Sequence, residues 1–567
     1  MSSIYDRLVR RGERGAQRKG HGGWRLILAL LAVPLAFLLI FYFYPLVTIV
    51  QVSLRPSMGV FALRDLANAR LLRVIGFTFG QTVLSTLLTL LIALPGAYVF
   101  ARYQFPGKRV IQALTTVPFV LPTVVVAAAF SAALGPGSLL DRWVTGGFDL
   151  RYTLVSILLA HVFYNYTIVL RMVQGFWETL DPQLEEAARS LGASPLRVFR
   201  EVTLPLLLPV VTTAGMLVFI FCFTSFGVIL ILGGPRFATL EVEIYRQTIQ
   251  FANMPLAAVL SLVQIAFTLV FTLVYTRRQE KLARPLDLRP RWTTRRRPRT
   301  WMQRVFVALN LIIIVALLGY PLLTLIIRSF SGGLRAYTAL LETSRQSVFY
   351  VPPWTAVMNS LRIASVVTAL ALILGLLVAV GLARMPSAAT GGGGRGWIVD
   401  ALFMLPLGTS AVTLGLGYLL SMARPPLALR GTVVLIVFAH TLVALPFVVR
   451  SLLPALQAIR PSLREAAATL GAPPVTVFRE VDLPIIWRAL AVGAIFAFTI
   501  SMGEFGATSM IARPELPTIP VAIYRFLSRP GALNYGQALA MSTLLMLVCV
   551  SGFLAIEELR PPGPTTF

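Results

Sequence analysis

Long apolar runs, separated by short polar stretches, recur along nearly the whole chain. A helix needs roughly 20 consecutive apolar residues to cross a bilayer, and runs of this length predict twelve spans. The first six lie at 25–50, 77–101, 113–134, 154–175, 206–232 and 256–276. The other six lie at 303–328, 357–383, 398–421, 431–453, 486–510 and 534–556. The pattern predicts an all-α membrane protein and excludes a transmembrane β-barrel, whose strands alternate apolar and polar residues.

Prolines interrupt two of the twelve runs. Pro118 and Pro122 lie within 113–134, and Pro406 lies within 398–421. A membrane helix tolerates such a break where neighbouring groups satisfy the freed backbone. We therefore expect both runs to enter the membrane as interrupted helices.

Composition supports a membrane protein and changes the interpretation of the charge. The chain has 567 residues, of which 57% are hydrophobic and 13% charged, whereas soluble domains carry about 25% charged residues. The net charge of +27 does not indicate nucleic-acid binding, because the basic residues concentrate in loops beside apolar runs. Lysine and arginine in such loops mark the cytoplasmic side of a membrane.

Two basic segments set the predicted topology and the domain boundaries. Residues 7–25 are rich in arginine and lead directly into the first run, which is too long for a cleaved signal peptide. Residues 277–304 are dense in arginine and proline. We therefore expect both termini in the cytoplasm, with a first half at 1–276, a basic linker at 277–302 and a second half at 303–567.

The two halves repeat each other. "LEEAARSLGASPLRVFREVTLP" (184–205) returns without a gap as "LREAAATLGAPPVTVFREVDLP" (463–484), at an offset of 279 residues. The same offset pairs His161 with His440 and Tyr245 with Tyr524. Because each half begins and ends on the same side, the repeat is parallel, with its axis along the membrane normal.

Each copy, here called the first and the second doubled loop, predicts a short helix, a glycine and a proline that opens the next span. Asp181 can cap the first helix, and Ser462 with Glu465 forms a capping-box pattern in the second. Gly192 and Gly471 suit the left-handed position that ends a helix. The alanine pairs Ala187–Ala188 and Ala466–Ala467 allow another surface to approach closely, and Pro205 and Pro484 restart a helix at the membrane boundary. Two such elements on one side predict a docking surface.

The doubled loops resemble the EAA loop of binding-protein-dependent ABC importer permeases, and the chain resembles their fused branch. The resemblance implies a type I importer permease fold in a bacterial inner membrane, made of two parallel six-helix repeats. It also implies that the doubled loops couple the chain to a cytoplasmic ATPase, through residues of both copies: Glu186, Ala187, Ala188, Gly192, Pro205, Glu465, Ala466, Ala467, Gly471 and Pro484. Phe221–Gln247 and Ser501–Phe526 resemble the ferric-iron and thiamine permeases.

The implied partners are two copies of the ATPase, a periplasmic or extracellular substrate-binding protein, and the lipid bilayer. We expect no enzymatic activity, because the sequence lacks the Gly-x-x-x-x-Gly-Lys-Ser/Thr phosphate loop and a catalytic constellation. ATP and magnesium would bind the partner ATPase, and no cofactor, metal or nucleic acid is expected on this chain. The cargo stays open between ferric iron, thiamine, an organophosphonate and a polyamine.

Two other classes compete with the importer permease. An ion-coupled secondary transporter of the major-facilitator type also has twelve spans in two parallel halves. That class carries a basic glycine-rich motif between spans two and three, and residues 101–110, "ARYQFPGKRV", match it poorly. A membrane enzyme acting on lipid would need ionisable residues clustered at one depth, and the sequence offers few.

Glu504 is the first candidate for the translocation path. A carboxylate at membrane depth normally faces a cavity or a partner, and the repeat mate of Glu504 is Ser225. His161 and His440 are expected at a similar depth. These residues could line the path and favour a cation, or they could make structural hydrogen bonds.

Two outer segments are candidates for contact with the binding protein. Each contains an Ile-Tyr-Arg, which gives Tyr245 and Arg246 in the first half and Tyr524 and Arg525 in the second. Tyrosine and arginine also anchor helices at the membrane interface, and the sequence leaves both interpretations open.

Overall fold

The computed structural model describes residues 29–54, 69–141, 149–282, 297–342, 351–385, 396–423 and 427–559, together with Ile27 and Pro425. Within these residues the α-helices of the first half are α1 Ala29–Ser53, α2 Ala69–Arg102, α3 Lys108–Leu114, α4 Val117–Val120, α5 Thr123–Leu134, α6 Leu154–Trp177, α7 Pro182–Ser190, α8 Pro195–Phe223, α9 Gly227–Leu232, α10 Leu240–Tyr245 and α11 Met254–Leu282. Those of the second half are α12 Trp301–Ser329, α13 Arg335–Thr338, α14 Trp354–Ala383, α15 Gly396–Met404, α16 Ala411–Ser421, α17 Val433–Gln457, α18 Pro461–Thr469, α19 Pro474–Gly503, α20 Gly506–Ile511, α21 Ile519–Leu527 and α22 Ala532–Leu559.

The predicted all-helical membrane fold is confirmed. Ten helices in the described residues are long and apolar enough to cross a membrane, and two bent pairs bring the number to as many as twelve. The bent pairs coincide with the two runs that prolines interrupt. Residues 1–26 and most of the basic linker, 283–296, lie outside the described residues.

The interrupted runs are sharply bent. The pair 110–120 and 123–134 turns by 110°, and the pair 398–408 and 411–421 turns by 94°. Pro122 precedes α5 in extended conformation, and the Ser410 side chain accepts hydrogen bonds from the N–H groups of Val412 and Thr413 at the start of α16. We call α5 and α16, which follow these bends, the inner half-helices.

Two further predicted spans are broken as well. The sequence predicts continuous helices over 206–232 and 486–510, but α8 ends at Phe223 and α19 ends at Gly503. A short helix, α9 or α20, follows each break. Both spans therefore end inside the bundle, and the prediction of continuous helices is wrong at these points.

The halves interlock through the inner half-helices. The α5 helix packs against α12, α21 and α22 of the second half, and α16 packs against α1, α10 and α11 of the first half. Nearly every residue of both helices is buried, which explains why they are apolar on all sides. In each half the core is a three-helix unit, α2–α6–α8 or α14–α17–α19.

Candidate functional site at the doubled loops and between the halves

The first doubled loop has the predicted local structure. The Asp181 side chain accepts a 2.9 Å hydrogen bond from the Gln183 N–H and caps α7. The helix ends at Gly192, whose φ of +85° lies in the left-handed region. The next residue closes the turn, because the Ala193 N–H donates to the Ala188 carbonyl at 3.1 Å. The predicted cap and glycine stop are confirmed.

The second doubled loop differs from its prediction at the start of the helix. Gly471 has a φ of +84° and ends α18 as expected, but Arg460 occupies the cap position and makes no capping bond with its side chain. Pro461 is the first helical residue, so Ser462 is already inside the helix and cannot act as its cap. The predicted capping box is therefore wrong.

The two doubled loops expose matching surfaces at one end of the bundle, here called the loop end. Glu186, Ala187, Glu465 and Ala466 are exposed, as are Gly192, Gly471, Pro205 and Pro484, and Ala188 and Ala467 are half-buried. Each loop also presents a leucine to solvent, with Leu191 90% and Leu470 89% exposed. The two copies therefore present the same exposed apolar residue at equivalent places.

Polar clamps with one half-buried member each, which the sequence reasoning missed, hold both helices to the span that follows. The Glu185 carboxylate contacts Arg102 at 3.1 Å and accepts a 3.2 Å hydrogen bond from the Thr203 hydroxyl. In the second loop, Arg464 donates to Asp482 at 2.8 Å. These are repeat positions, since 464 − 185 = 279 and 482 − 203 = 279. The only sequence signal was a polar residue at both positions in both copies.

The helix breaks meet between the halves. Gly503, the last residue of α19, lies against the bend before α5 in the first half, where an added Cβ would come within 2.9 Å of the Pro122 side chain. Only glycine fits this approach without displacing the proline ring. Non-helical backbone at membrane depth is tolerated where protein or a cavity surrounds it, and such broken helices often form transport sites.

The structure pairs each candidate histidine with the residue at the break in its own half. His161 Nε2 lies 2.9 Å from the Ser225 hydroxyl, and its Nδ1 lies 2.9 Å from the Ser85 hydroxyl. His440 Nε2 lies 3.2 Å from a Glu504 carboxylate oxygen, and its Nδ1 lies 2.9 Å from the Ser501 hydroxyl. Both pairs are thus arranged alike.

The Glu504 carboxylate is fully engaged by protein groups. It accepts hydrogen bonds from the N–H groups of Ala507 at 2.8 Å and Thr508 at 3.1 Å, at the start of α20. The Thr508 hydroxyl also donates to it. In this conformation Glu504 therefore secures the break after α19 instead of facing an open path.

Four aromatic rings close the interface between the halves, and we call them the ring cluster. Phe226 stacks on Phe505 with centroids 5.3 Å apart. Phe226 also contacts Tyr245 at 5.4 Å, and Phe505 contacts Tyr524 at 5.6 Å. The two tyrosine rings meet edge to face at 6.4 Å. Each half supplies one phenylalanine and one tyrosine at repeat positions, so the cluster surrounds the axis that relates the halves.

Of the four residues predicted to contact the binding protein, the two tyrosines belong to the ring cluster and the two arginines do not. Tyr245 is only 6% exposed, so in this conformation its ring cannot contact a partner, and Tyr524 shares the ring cluster. Arg246 donates to the Gly234 carbonyl at 2.7 Å and lines a cavity at the end of the bundle opposite the loop end, here called the far end. Arg525 is half-buried.

Glu241 is a buried carboxylate that the sequence reasoning missed. Its oxygens accept hydrogen bonds from Ser410 at 2.6 Å and Gln264 at 3.1 Å. Because Ser410 also caps the inner half-helix α16, Glu241 binds the first half to the bend of the second. Its hydrophilic segment, "LEVEIYRQ", suggested an outer loop, whereas the structure buries it.

Comparison with known proteins agrees with this architecture. Residues 93–284 and 396–560 match the family described as binding-protein-dependent transport system inner membrane component, once in each half. Thiamine transport system permease proteins of Salmonella typhimurium and Escherichia coli are each 26% identical over 88% of this chain and 90% of their own length. The Brucella abortus protein of that name is 28% identical over 84% of this chain and 86% of its own.

A solved structure of a bacterial ABC transporter involved in the import of the acidic polysaccharide alginate is similar to part of this chain. It aligns with 47% of this chain and 99% of its own at a TM-score of 0.40 and 18% identity. The family match covers more than half of the chain and decides against the ion-coupled carrier. This chain therefore belongs to the binding-protein-dependent inner-membrane transport components, as a fused permease subunit of an ABC importer.

Proposed function

We propose that this permease moves thiamine into the cytoplasm, receiving it from a binding protein at the far end and drawing energy from two ATPase subunits at the loop end. Relatives named for thiamine transport align with most of the chain, which supports the cargo. The observation that carries the mechanism is the pair of equivalent exposed loops at the loop end. In this orientation the loop end and both termini lie in the cytoplasm.

The docking role of the doubled loops rests on their exposed apolar residues. Leu191 and Leu470 follow α7 and α18 directly, beside the exposed Glu186 and Glu465. A groove on each ATPase would bury one leucine and receive one helix. The clamps at Glu185 and Arg464 would then transmit a movement of the docked helix to α8 and α19, because the clamped partners Thr203 and Asp482 belong to those spans.

The ring cluster supplies the seal of the path. Both halves contribute to it, so a change in their relative angle would separate Phe226 from Phe505. Alternating access by rocking of two repeats needs such a closure on one side. We propose that it opens when ATP draws the two doubled loops together and closes again after hydrolysis.

Uptake by the reconstituted transporter tests the cargo. Proteoliposomes containing the permease with its ATPase and loaded with ATP should accumulate labelled thiamine when the binding protein is added outside. Excess unlabelled thiamine should abolish the signal, and ferric citrate should leave it unchanged. Uptake of iron without uptake of thiamine would reject the proposed cargo and leave the coupling mechanism standing.

The double substitution Leu191→Glu and Leu470→Glu should weaken ATPase docking. Burying a leucine contributes about 1.5–3 kcal/mol, so two charged replacements should lower the affinity by at least about tenfold. The measurement is co-purification and binding of the ATPase in detergent. The matched control, Leu191→Met with Leu470→Met, should bind nearly normally. Wild-type affinity in the glutamate variant would exclude these leucines from the docking surface.

Removing two rings of the cluster should make the permease leak. In Phe226→Ala with Phe505→Ala, labelled thiamine should cross liposomes without ATP or binding protein, because the void opens the seal. The control is Phe79→Ala with Phe267→Ala, an aromatic pair inside the first half whose centroids are 5.0 Å apart. It should cost similar stability, about 3–5 kcal/mol per ring at most, without a leak. A tight ring-cluster variant would contradict the seal.

Glu504→Gln should lower the stability of the permease. The amide presents an NH2 group where the carboxylate accepts bonds, and one unsatisfied buried donor costs about 1–3 kcal/mol. Thermal unfolding in detergent measures the effect, and Glu515→Gln, an exposed glutamate, is the control. Normal stability combined with poor uptake would instead assign Glu504 to the path.

A further inference from the structure

A cavity of about 900 Å³ opens at the far end, and both halves line it. The cavity and the first doubled loop lie at opposite ends of α2. Arg70, at the start of the helix, lines the cavity, and Arg102, at its end, contacts Glu185 of the loop. Gln250 and Arg529, which are repeat mates (529 − 250 = 279), both line it. Phe251 and Pro530 are a second such pair. The cavity therefore lies across the axis that relates the halves.

Arginines dominate the polar lining of this cavity. Four of them contribute: Arg70, Arg151, Arg246 and Arg529. The Arg151 guanidinium is neutralised by Asp149, which it contacts at 2.7 Å. Burial disfavours the charged form of Asp149, but the hydrogen bonds from Arg151 outweigh it and lower the pKa of that carboxyl. Arg70 lies 3.5 Å from Glu243.

The other two arginines keep their charge uncompensated. Arg246 donates to a carbonyl oxygen, that of Gly234, and Arg529 is exposed. Within the described part of the chain neither forms an ion pair. One comes from each half, so an anion bound between them would contact both halves at once. Guanidinium groups pair with carboxylates through two parallel hydrogen bonds.

We propose that this cavity is a socket for a carboxylate side chain of the substrate-binding protein, held by Arg246 and Arg529. The inference rests on the proposed function, because thiamine carries a permanent positive charge that two unpaired arginines would repel. A binding protein approaching along the axis would meet the cavity first. Arginine is also a preferred residue at the energetic centre of protein interfaces.

The cavity and the ring cluster share a residue. Tyr524 lines the cavity and also belongs to the ring cluster, and Arg246 directly follows Tyr245 in the chain. A carboxylate that binds Arg246 and Arg529 therefore sits beside the rings that separate when the path opens. Docking and opening would share one small region at the axis.

Binding of the purified binding protein to the nucleotide-free permease–ATPase complex in nanodiscs tests the socket. Arg529→Gln and Arg246→Gln should each raise the dissociation constant about tenfold, and salt should weaken the wild-type complex more than the variants. Because the Arg529 side chain makes no hydrogen bond within the described residues, its variant should fold normally even if Arg246→Gln does not. Arg335→Gln, an exposed arginine of α13 outside the cavity, is the matched control and should bind like wild type.

A charge swap identifies the partner group. Arg529→Glu should be rescued by one Asp→Lys or Glu→Lys substitution on the face of the binding protein, and by none elsewhere on it. Unchanged affinity in both glutamine variants would overturn the proposal. So would normal docking with impaired uptake, which would assign the arginines to cargo. The binding measurement uses whichever cargo loads the binding protein, so it can succeed even if thiamine is the wrong cargo.

Discussion

The need to satisfy backbone groups at membrane depth governs this structure. Four spans break inside the bundle, and each break frees N–H groups that need other partners at membrane depth. At two of these breaks, side chains take over that task. Ser410 and Glu504 accept bonds from the first N–H groups of α16 and α20. The starts of α10 and α21 are satisfied in the same way, because Leu240 donates to the Thr78 hydroxyl and Ile519 to the Ser360 hydroxyl.

The two halves agree more closely in the positions of their helices than in the polar residues that hold those helices in place. Helices α7 and α18 occupy positions that differ by the offset of 279 at both ends, yet their clamps are Glu185 with Thr203 in one half and Arg464 with Asp482 in the other. Glu504 likewise stands opposite Ser225, and Glu241 opposite Pro520. Equivalent helices in the two halves are thus held in place by different polar groups. The two doubled loops consequently have the same helix positions and are held by different polar groups.

The sequence was sufficient wherever a local signal determined the structure. Apolar run length predicted the long helices, and Asp181, Gly192 and Gly471 predicted the cap and the helix ends. Prolines indicated where the bent spans would break, but they carry no information on an angle of 110° or 94°. The prediction for Ser462 was wrong because the cap is the residue immediately before the helix. The helix begins at Pro461, so Arg460 occupies the cap position.

Features that join distant segments could not be predicted. The ring cluster unites Phe226 with Phe505, which are repeat mates, but the offset between them does not show that their rings meet. The position of Glu241 depends on how α16 packs against α10, so its hydrophilic neighbourhood resembled a loop. Both contacts arise only after the halves interlock.

A single helix, with Pro95 in its interior, joins the far-end cavity to the first doubled loop. Helix α2 has 34 residues, which corresponds to about 50 Å. Arg70 at one end lines the far-end cavity, and Arg102 at the other clamps Glu185 of the first doubled loop. If an ATPase displaces the first doubled loop, as we propose, this helix would move or tilt at its far end. Because α2 packs on α6 and α8 in one unit, the same displacement would reach the break after Phe223, where the ring cluster begins. The proposed coupling would then need a tilt of one packed unit against the other and no change of fold within either.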